Sequence, residues 1–177
     1  MKASTRNLTF SAMFLAIGLV LPFITGQIPQ IGKMLCPMHI PILLCGFFCG
    51  WKYAVPVGLV CPLLRSVLFG MPVLYPSAVG MAFELMAYGL ISGILSEKTG
   101  KDKIWKIYVT LISAMLGGRI VWGLAQIVLL GLKGDSFTVS AFLAGGFINA
   151  FPGIILQLVL IPVLVRVFDK RIRKTGD

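Results

Sequence analysis

Arg65, Glu84 and Arg119 stand inside apolar runs of the sequence, where a charged side chain has to be explained by chemistry. At the centre of a bilayer each costs about 2.5–3.5 kcal/mol or more unless it is paired or reached by water, so each marks a candidate functional site. Their depths agree. With a rise of about 1.5 Å per residue, Arg65 sits about 17 Å along its run from the cytoplasmic side and Arg119 about 18 Å. Glu84 lies about 11 Å, and Asn149 about 14 Å, below the outer ends of their runs. In a hydrocarbon core about 30 Å thick, all four fall in one layer at or just outside the midplane. Arg65 and Glu84 could form a dry structural ion pair that fixes helix packing. One glutamate cannot neutralise two arginines, however. The surplus positive charge suits an anionic ligand, because a guanidinium meets a carboxylate through two parallel hydrogen bonds.

Trp122 and Gln126 lie outward of that layer. Arg119, Trp122 and Gln126 are three and four residues apart and share one helix face, where Trp122 serves either packing or ligand contact. Tyr75, Tyr88 and Gln157 are further polar side chains in range, with Tyr75 also suited to anchor at the membrane interface. His39, between Pro37 and Pro41, is the single histidine. It could cap or gate, but without a second ligand it makes neither a metal site nor a catalytic base, and the expected role is structural. Cys36, Cys45, Cys49 and Cys61 lie in or beside apolar runs without a second pair at zinc spacing, so they read as small buried residues, with no disulfide and no metal. G-x-S-x-G with a histidine, H-E-x-x-H and the phosphate loop G-x-x-x-x-G-K-[ST] are all missing. The pattern points to a binding protein with no cofactor and no ATPase of its own, and not to an enzyme.

The elements that must hold these residues are membrane helices. Of 177 residues, 58% are hydrophobic and 12% charged, with a mean hydropathy of +0.95. Soluble domains are roughly 45–50% apolar and about 25% charged, so this chain has too little polar surface to cover a water-facing shell. Apolar runs predict an all-α bundle of six transmembrane helices in a single domain, 1–177, with spans at about 8–24, 38–50, 54–70, 77–95, 107–130 and 140–168. Trp51-Lys52-Tyr53 reads as a tight turn. The first run follows Lys2 and Arg6 but is joined at once by further spans, so it reads as a retained helix and not a cleaved signal.

The net charge of +10 follows the loops. With the N-terminus inside, cytoplasmic segments hold Lys2, Arg6, Lys52, the cluster Lys98 to Lys106, Arg166 and the tail from Lys170 to Lys174. Only Lys33 and Lys133 fall outside. Such a bias predicts both termini in the cytoplasm. It also accounts for the basic character without nucleic acid, since no aromatic residues interleave with the basic ones.

Several stretches carry a family resemblance. The first helix holds Ala12-Met13-Phe14-Leu15-Ala16. GQIPQIGKMLCPMHIPILLCGFFCG follows from Gly26, then PLLRSVLFGMP from Pro62 and AFELMAYGLISG from Ala82. Together with six short helices in under 200 residues, the chain resembles the substrate-binding S component of energy-coupling factor (ECF) vitamin transporters of the bacterial plasma membrane. That resemblance implies a small-molecule vitamin as ligand, membrane lipid as solvent, and a transmembrane coupling subunit with two ATPase subunits as partners. It implies docking of the coupling subunit on Ala12 and Ala16, consistent with close helix approach at small residues four apart. It implies an outer lid of Gln27, Gln30 and Lys33, a pocket of Glu84, Arg119, Trp122, Gln126 and Asn149, and support from Arg65. Members take riboflavin, thiamine, biotin, folate, pantothenate, pyridoxine or queuosine precursors, or metals. Two arginines against one glutamate favour a carboxylate-bearing vitamin, and the sequence places few aromatic residues for a large flat ring. Pantothenate is the expected ligand. A stand-alone carrier coupled to ions through Glu84 and a non-catalytic interaction protein remain the alternatives.

Overall fold

The computed structural model describes residues 3–24 and 34–175, which form helices joined by short turns, with no strand among them. Seven α-helices follow in order: α1 (Ala3–Ile24), α2 (His39–Cys49), α3 (Trp51–Phe69), α4 (Val79–Thr99), α5 (Ile104–Lys133), α6 (Val139–Leu143) and α7 (Phe151–Thr175). Wider π-helical turns lead into α4 (Leu74–Ala78) and out of α6 (Ala144–Ile148). Five helical stretches are long and apolar enough to cross a membrane: Ser4–Phe23, Trp51–Phe69, Leu74–Thr99, Ile104–Lys133 and Phe151–Asp169.

Their outward faces show what solvent they were selected for. Ile112, Leu116, Ile120, Leu124 and Ile127 form an exposed stripe along α5, with Ile120 and Leu124 both 59% exposed. In water such a stripe would aggregate; in lipid it is at home. α4 forms the centre of the bundle and packs against α2, α3 and α5. Glycine sets the closest of these crossings. A Cβ on Gly93 would lie 2.3 Å from the Trp51 backbone nitrogen, and one on Gly89 would lie 2.7 Å from the Ala54 carbonyl. Backbone thus meets backbone along the α3–α4 seam, as small residues allow in lipid.

Two expected spans are not single crossing helices. α2 has 11 residues, a length of about 16 Å, which is half of what a crossing needs. Ten of those residues are buried, so α2 is wrapped by protein rather than lipid. It runs parallel to α4 from Glu84 to its C-terminal end: His39 meets Glu84 at its start, Gly46 meets Ser92, and Gly50 meets Glu97 at its end. The stretch expected as the sixth span, 140–168, breaks between Ala144 and Ala150 into α6, a π turn and α7. Trp51-Lys52-Tyr53 is the first turn of α3 and not a connection; the reversal is made by Gly50 alone, at φ 81°, a conformation glycine adopts without Cβ strain.

One end of the bundle gathers the basic residues. There Ser4 and Tyr53 join by their hydroxyls at 3.2 Å, and Lys101 donates to the Phe47 carbonyl at 2.5 Å. The opposite end carries Tyr75, which donates to the Leu129 carbonyl. The glycine seam yields a stability test. Gly93→Ala should lower stability by about 1–3 kcal/mol, since its methyl meets backbone that cannot move aside. Gly131→Ala, with nothing within 4 Å, should leave it unchanged or slightly raised. Thermal unfolding of the two purified variants in detergent separates these outcomes.

Candidate functional site

The middle of α4 carries Glu84, 1% exposed, and the carboxylate is met from two other helices. Arg119 Nη1, from the middle of α5, lies 2.8 Å from Glu84 Oε1; His39 Nε2, from the first residue of α2, lies 3.3 Å from the same oxygen. Neither contact is a well-aligned hydrogen bond. By strict geometry Glu84 Oε1 and the His39 ring nitrogens lack an aligned hydrogen bond among the described residues, while His39 and Tyr88 both lie within hydrogen-bonding reach of the Glu84 carboxylate. Tyr88, one turn further along α4, packs edge-on to His39 with ring centroids 5.1 Å apart. Its ring occupies the space that a side chain at Gly118 would fill. Arg119 turns its other terminal nitrogen, Nη2, to the Cys36 sulfur at 3.6 Å, a weak acceptor for a guanidinium.

His39, read from the sequence as structural, stands buried beside the Glu84–Arg119 pair. The signal that could have found it is α2's own shortness: a half-length helix begins inside the bundle, and its first residues face whatever lies at mid-depth.

Arg65 is elsewhere. It is buried at 3% exposure on α3, donates to the Leu19 carbonyl of α1, and lies between the rings of Phe23 (4.9 Å) and Phe69 (5.4 Å). The alternative, an Arg65–Glu84 structural pair, is not formed. Glu84 is paired with Arg119, and the two-arginine surplus that argued for an anionic ligand reduces to one guanidinium already facing one carboxylate. Depth along a helix was legible in the sequence; which way each residue faced was not.

Outward of Arg119 on the same α5 face, Gln126 is 7% exposed and its Oε1 has no partner among the described residues. Its amide nitrogen lies where a side chain on Gly80 of α4 would stand, 2.9 Å from that glycine's Cβ position. Trp122, half-buried between them, meets Phe142 nearly parallel at 6.2 Å and Phe137 edge-on at 5.7 Å, and Phe147 meets Phe142 at 5.9 Å. Bare backbone at Gly145 and Gly146 approaches Trp122, and Gly146 also approaches the Arg119 stem. Phe142 and Phe147 were absent from the sequence reading because 140–168 looked like one membrane helix, and Phe137 because it lay in the loop before it. The Gly145-Gly146 pair is the turn signal that could have exposed the break.

Asn149 is exposed on the turn into α7 and does not join the cluster. Gln157 is buried on α7, with an unpartnered Oε1. Tyr75 anchors the far end of the bundle to α5. Gln27, Gln30 and Lys33 lie outside the described residues. A cavity of about 610 Å³ runs along α1, α2 and α7, lined by Phe10, Ile17, Leu44, Leu160 and Phe168 among others. None of Glu84, Arg119, His39 and Gln126 lines it. Its apolar walls suit hydrocarbon, so the polar layer is the better candidate for a water-soluble ligand.

A polytopic helical bundle with an ion pair buried at mid-depth, and aromatic residues over it, defines a membrane protein built around an internal polar site. The sequence model described as "ECF transporter, substrate-specific component" matches residues 6–165, and the chain belongs to that family of substrate-specific transporter subunits. Among curated proteins and solved structures, none matches the chain.

The ion pair yields a further test. Glu84→Gln leaves Arg119 buried without its counter-charge and should destabilise the protein by about 3–5 kcal/mol. Replacing both partners, as Glu84→Gln with Arg119→Met, should recover a substantial part of that loss in the same unfolding assay.

Proposed function

We propose that this chain is the high-affinity vitamin-binding subunit of an ECF importer in the bacterial plasma membrane. It forms a single transmembrane domain that crosses six times, with both termini in the cytoplasm. It captures a small carboxylate-bearing vitamin from outside, pantothenate first among them, and works with a coupling subunit and two ATPase subunits. Membership of the substrate-specific family carries the transport reading.

The basic residues gathered at one end of the bundle support a cytoplasmic placement of that end.

Support for a carboxylate comes from Arg119 and α2. Among the described residues Arg119 Nη2 donates to a thiol sulfur, so an anionic oxygen there would replace a weak acceptor with a strong one. The N-terminus of half-length α2 opens on the same layer, and helix N-termini favour negative charge. Glu84 already faces Arg119, so the carboxylate must share the guanidinium rather than meet a free one. The aromatic residues around Trp122 cover this layer and suit the apolar part of a ligand.

Docking on α1 has its own support. Ser11, Phe14, Gly18 and Pro22 turn inward, while Ala12 and Ala16 face out, in line with exposed Leu8 and Val20. A smooth outward strip of small residues permits close helix approach.

Arg119→Ala should weaken binding of an acidic ligand by about 2–4 kcal/mol, read by titration calorimetry on the purified chain. Unchanged affinity would remove Arg119 from the site. Ala12→Trp should abolish vitamin uptake by the reconstituted complex while ligand binding stays intact. Loss of both would sink the assignment of that face. Uptake by this chain alone in proteoliposomes without ATP would instead favour an ion-coupled carrier.

A further inference from the structure

The cavity of about 610 Å³ lies between α1 and α7, which both pack on α2 and leave a gap between them. α1 lines it with Phe10, Phe14, Ile17 and Leu21. α7 lines it with Leu156, Leu160, Leu164 and Phe168, four residues apart along one face. Ile40 and Leu44 of α2 close its inner side. Among the described residues, Arg6 and Asn7 are the only polar side chains in the lining. They stand together near the start of α1, at the end of the bundle where the basic residues gather. Arg6 makes no ion pair among the described residues. Lys101 brings a second positive charge to that end, its Nζ lying 5.1 Å from the centre of the Phe48 ring, which also lines the cavity. The first turn of α1 holds no acidic residue, so nothing there offsets the positive end of the helix dipole.

Dimensions decide what such a groove can take. From Arg6 to Leu21, α1 rises about 22 Å, more than one leaflet of a hydrocarbon core about 30 Å thick. A volume of about 610 Å³ along that length has a section of roughly 28 Å². A helix with its side chains is about 10–12 Å across, a section of roughly 80 Å² or more, and does not fit. A single hydrocarbon chain does. The sequence from Thr25 to Lys33 is a poor filling, since Gln27, Gln30 and Lys33 would set polar groups against apolar walls.

We propose that this groove holds an acyl chain of one anionic phospholipid from the leaflet at the basic end, with the lipid phosphate at Arg6 and Asn7. The Arg6 guanidinium matches phosphate oxygens with paired donors, and the Asn7 amide adds a neutral one. Lys101 deepens the attraction at the mouth without having to touch the phosphate. Lipid elsewhere on the bundle meets open apolar surface and no such cation, so it covers that surface without regard to headgroup. Here walls on three sides hold the chain, and charge selects the headgroup. None of Glu84, Arg119, His39 and Gln126 lines the groove, so a lipid in it leaves the polar layer free.

The test is native mass spectrometry of the purified chain, stripped of lipid in detergent and titrated with phosphatidylglycerol, phosphatidylcholine or glycerol 3-phosphate. One phosphatidylglycerol per chain should bind roughly 5- to 30-fold more tightly than phosphatidylcholine, at about fivefold for each of the two cations. Arg6→Gln should cut that preference about fivefold and leave phosphatidylcholine as before. Leu160→Trp, which fills the groove, should weaken both lipids. Val159→Trp, at an exposed position outside the groove, should weaken neither. Equal binding of both phospholipids to the wild-type chain, a comparison that needs no variant to fold, would overturn the headgroup site. Many equivalents of lipid with no first tight one would mean ordinary solvation and overturn the groove. Leu160→Trp that spares lipid binding yet blocks assembly with a partner subunit would make a protein the occupant and overturn the lipid. Glycerol 3-phosphate binding as tightly as phosphatidylglycerol would overturn the acyl chain.

Discussion

A carboxylate buried in the middle of a helical bundle has to be compensated where it stands, and Glu84 is compensated by Arg119 and His39. The three residues come from α4, α5 and α2, so one contact ties together three helices that are distant in sequence. Sliding any of them by a turn, about 5.4 Å, would strand a charge in low dielectric at a cost no apolar contact repays. Much of the surrounding structure follows from that register. α2 starts at His39 because the histidine must reach the carboxylate, and Tyr88 fills the space beside it. Gly118 carries no side chain where the Tyr88 ring must lie.

Arg65 solves the same physical problem by another route. Among the described residues no carboxylate meets it; a backbone carbonyl of α1 and two aromatic faces do. Such partners offset desolvation without neutralising charge, and they place the cost of moving α1 on a residue of α3. Together with the Ser4–Tyr53 contact at the other end, Arg65 fixes α1 by its back. The face with Ala12 and Ala16 stays outward. Charge therefore has two separate uses here, one that organises the polar layer and one that orients the outermost helix.

The sequence made the long helices legible because an apolar run of about 20 residues has few other uses. It made the depths of Glu84 and Arg119 legible because helical rise converts position into distance. Facing was not legible, and so Arg65 was placed in a layer with Glu84, whereas it turns to Leu19, Phe23 and Phe69. α2 looked like a thin crossing helix, since composition cannot tell a lipid-facing helix from one wrapped by protein. Trp51-Lys52-Tyr53 looked like a turn because charge and aromatic residues mark an interface, yet the reversal needs only Gly50. Phe137, Phe142 and Phe147 escaped notice because their place beside Trp122 depends on a break near Gly145, and hydropathy averages across a break.

The arrangement also bears on why a protein of this family carries no motor of its own. The polar layer is closed in the structure: Glu84, Arg119, His39 and Gln126 are all more than nine-tenths buried. A ligand seated there would satisfy groups that are otherwise underbonded, and it would lie beneath the ring of Trp122 and its aromatic neighbours. Each contact that makes capture favourable makes release unfavourable by the same free energy. A site that collects a scarce solute tightly cannot also release it quickly unless energy enters from outside. If energy enters through a docked partner, as proposed above, α1, held from behind by Arg65 and with Ala12 and Ala16 on its outward side, is the element proposed to receive it. Displacing α1 would pull on α3 through Arg65, and α3 shares its closest backbone seam with α4, which carries Glu84.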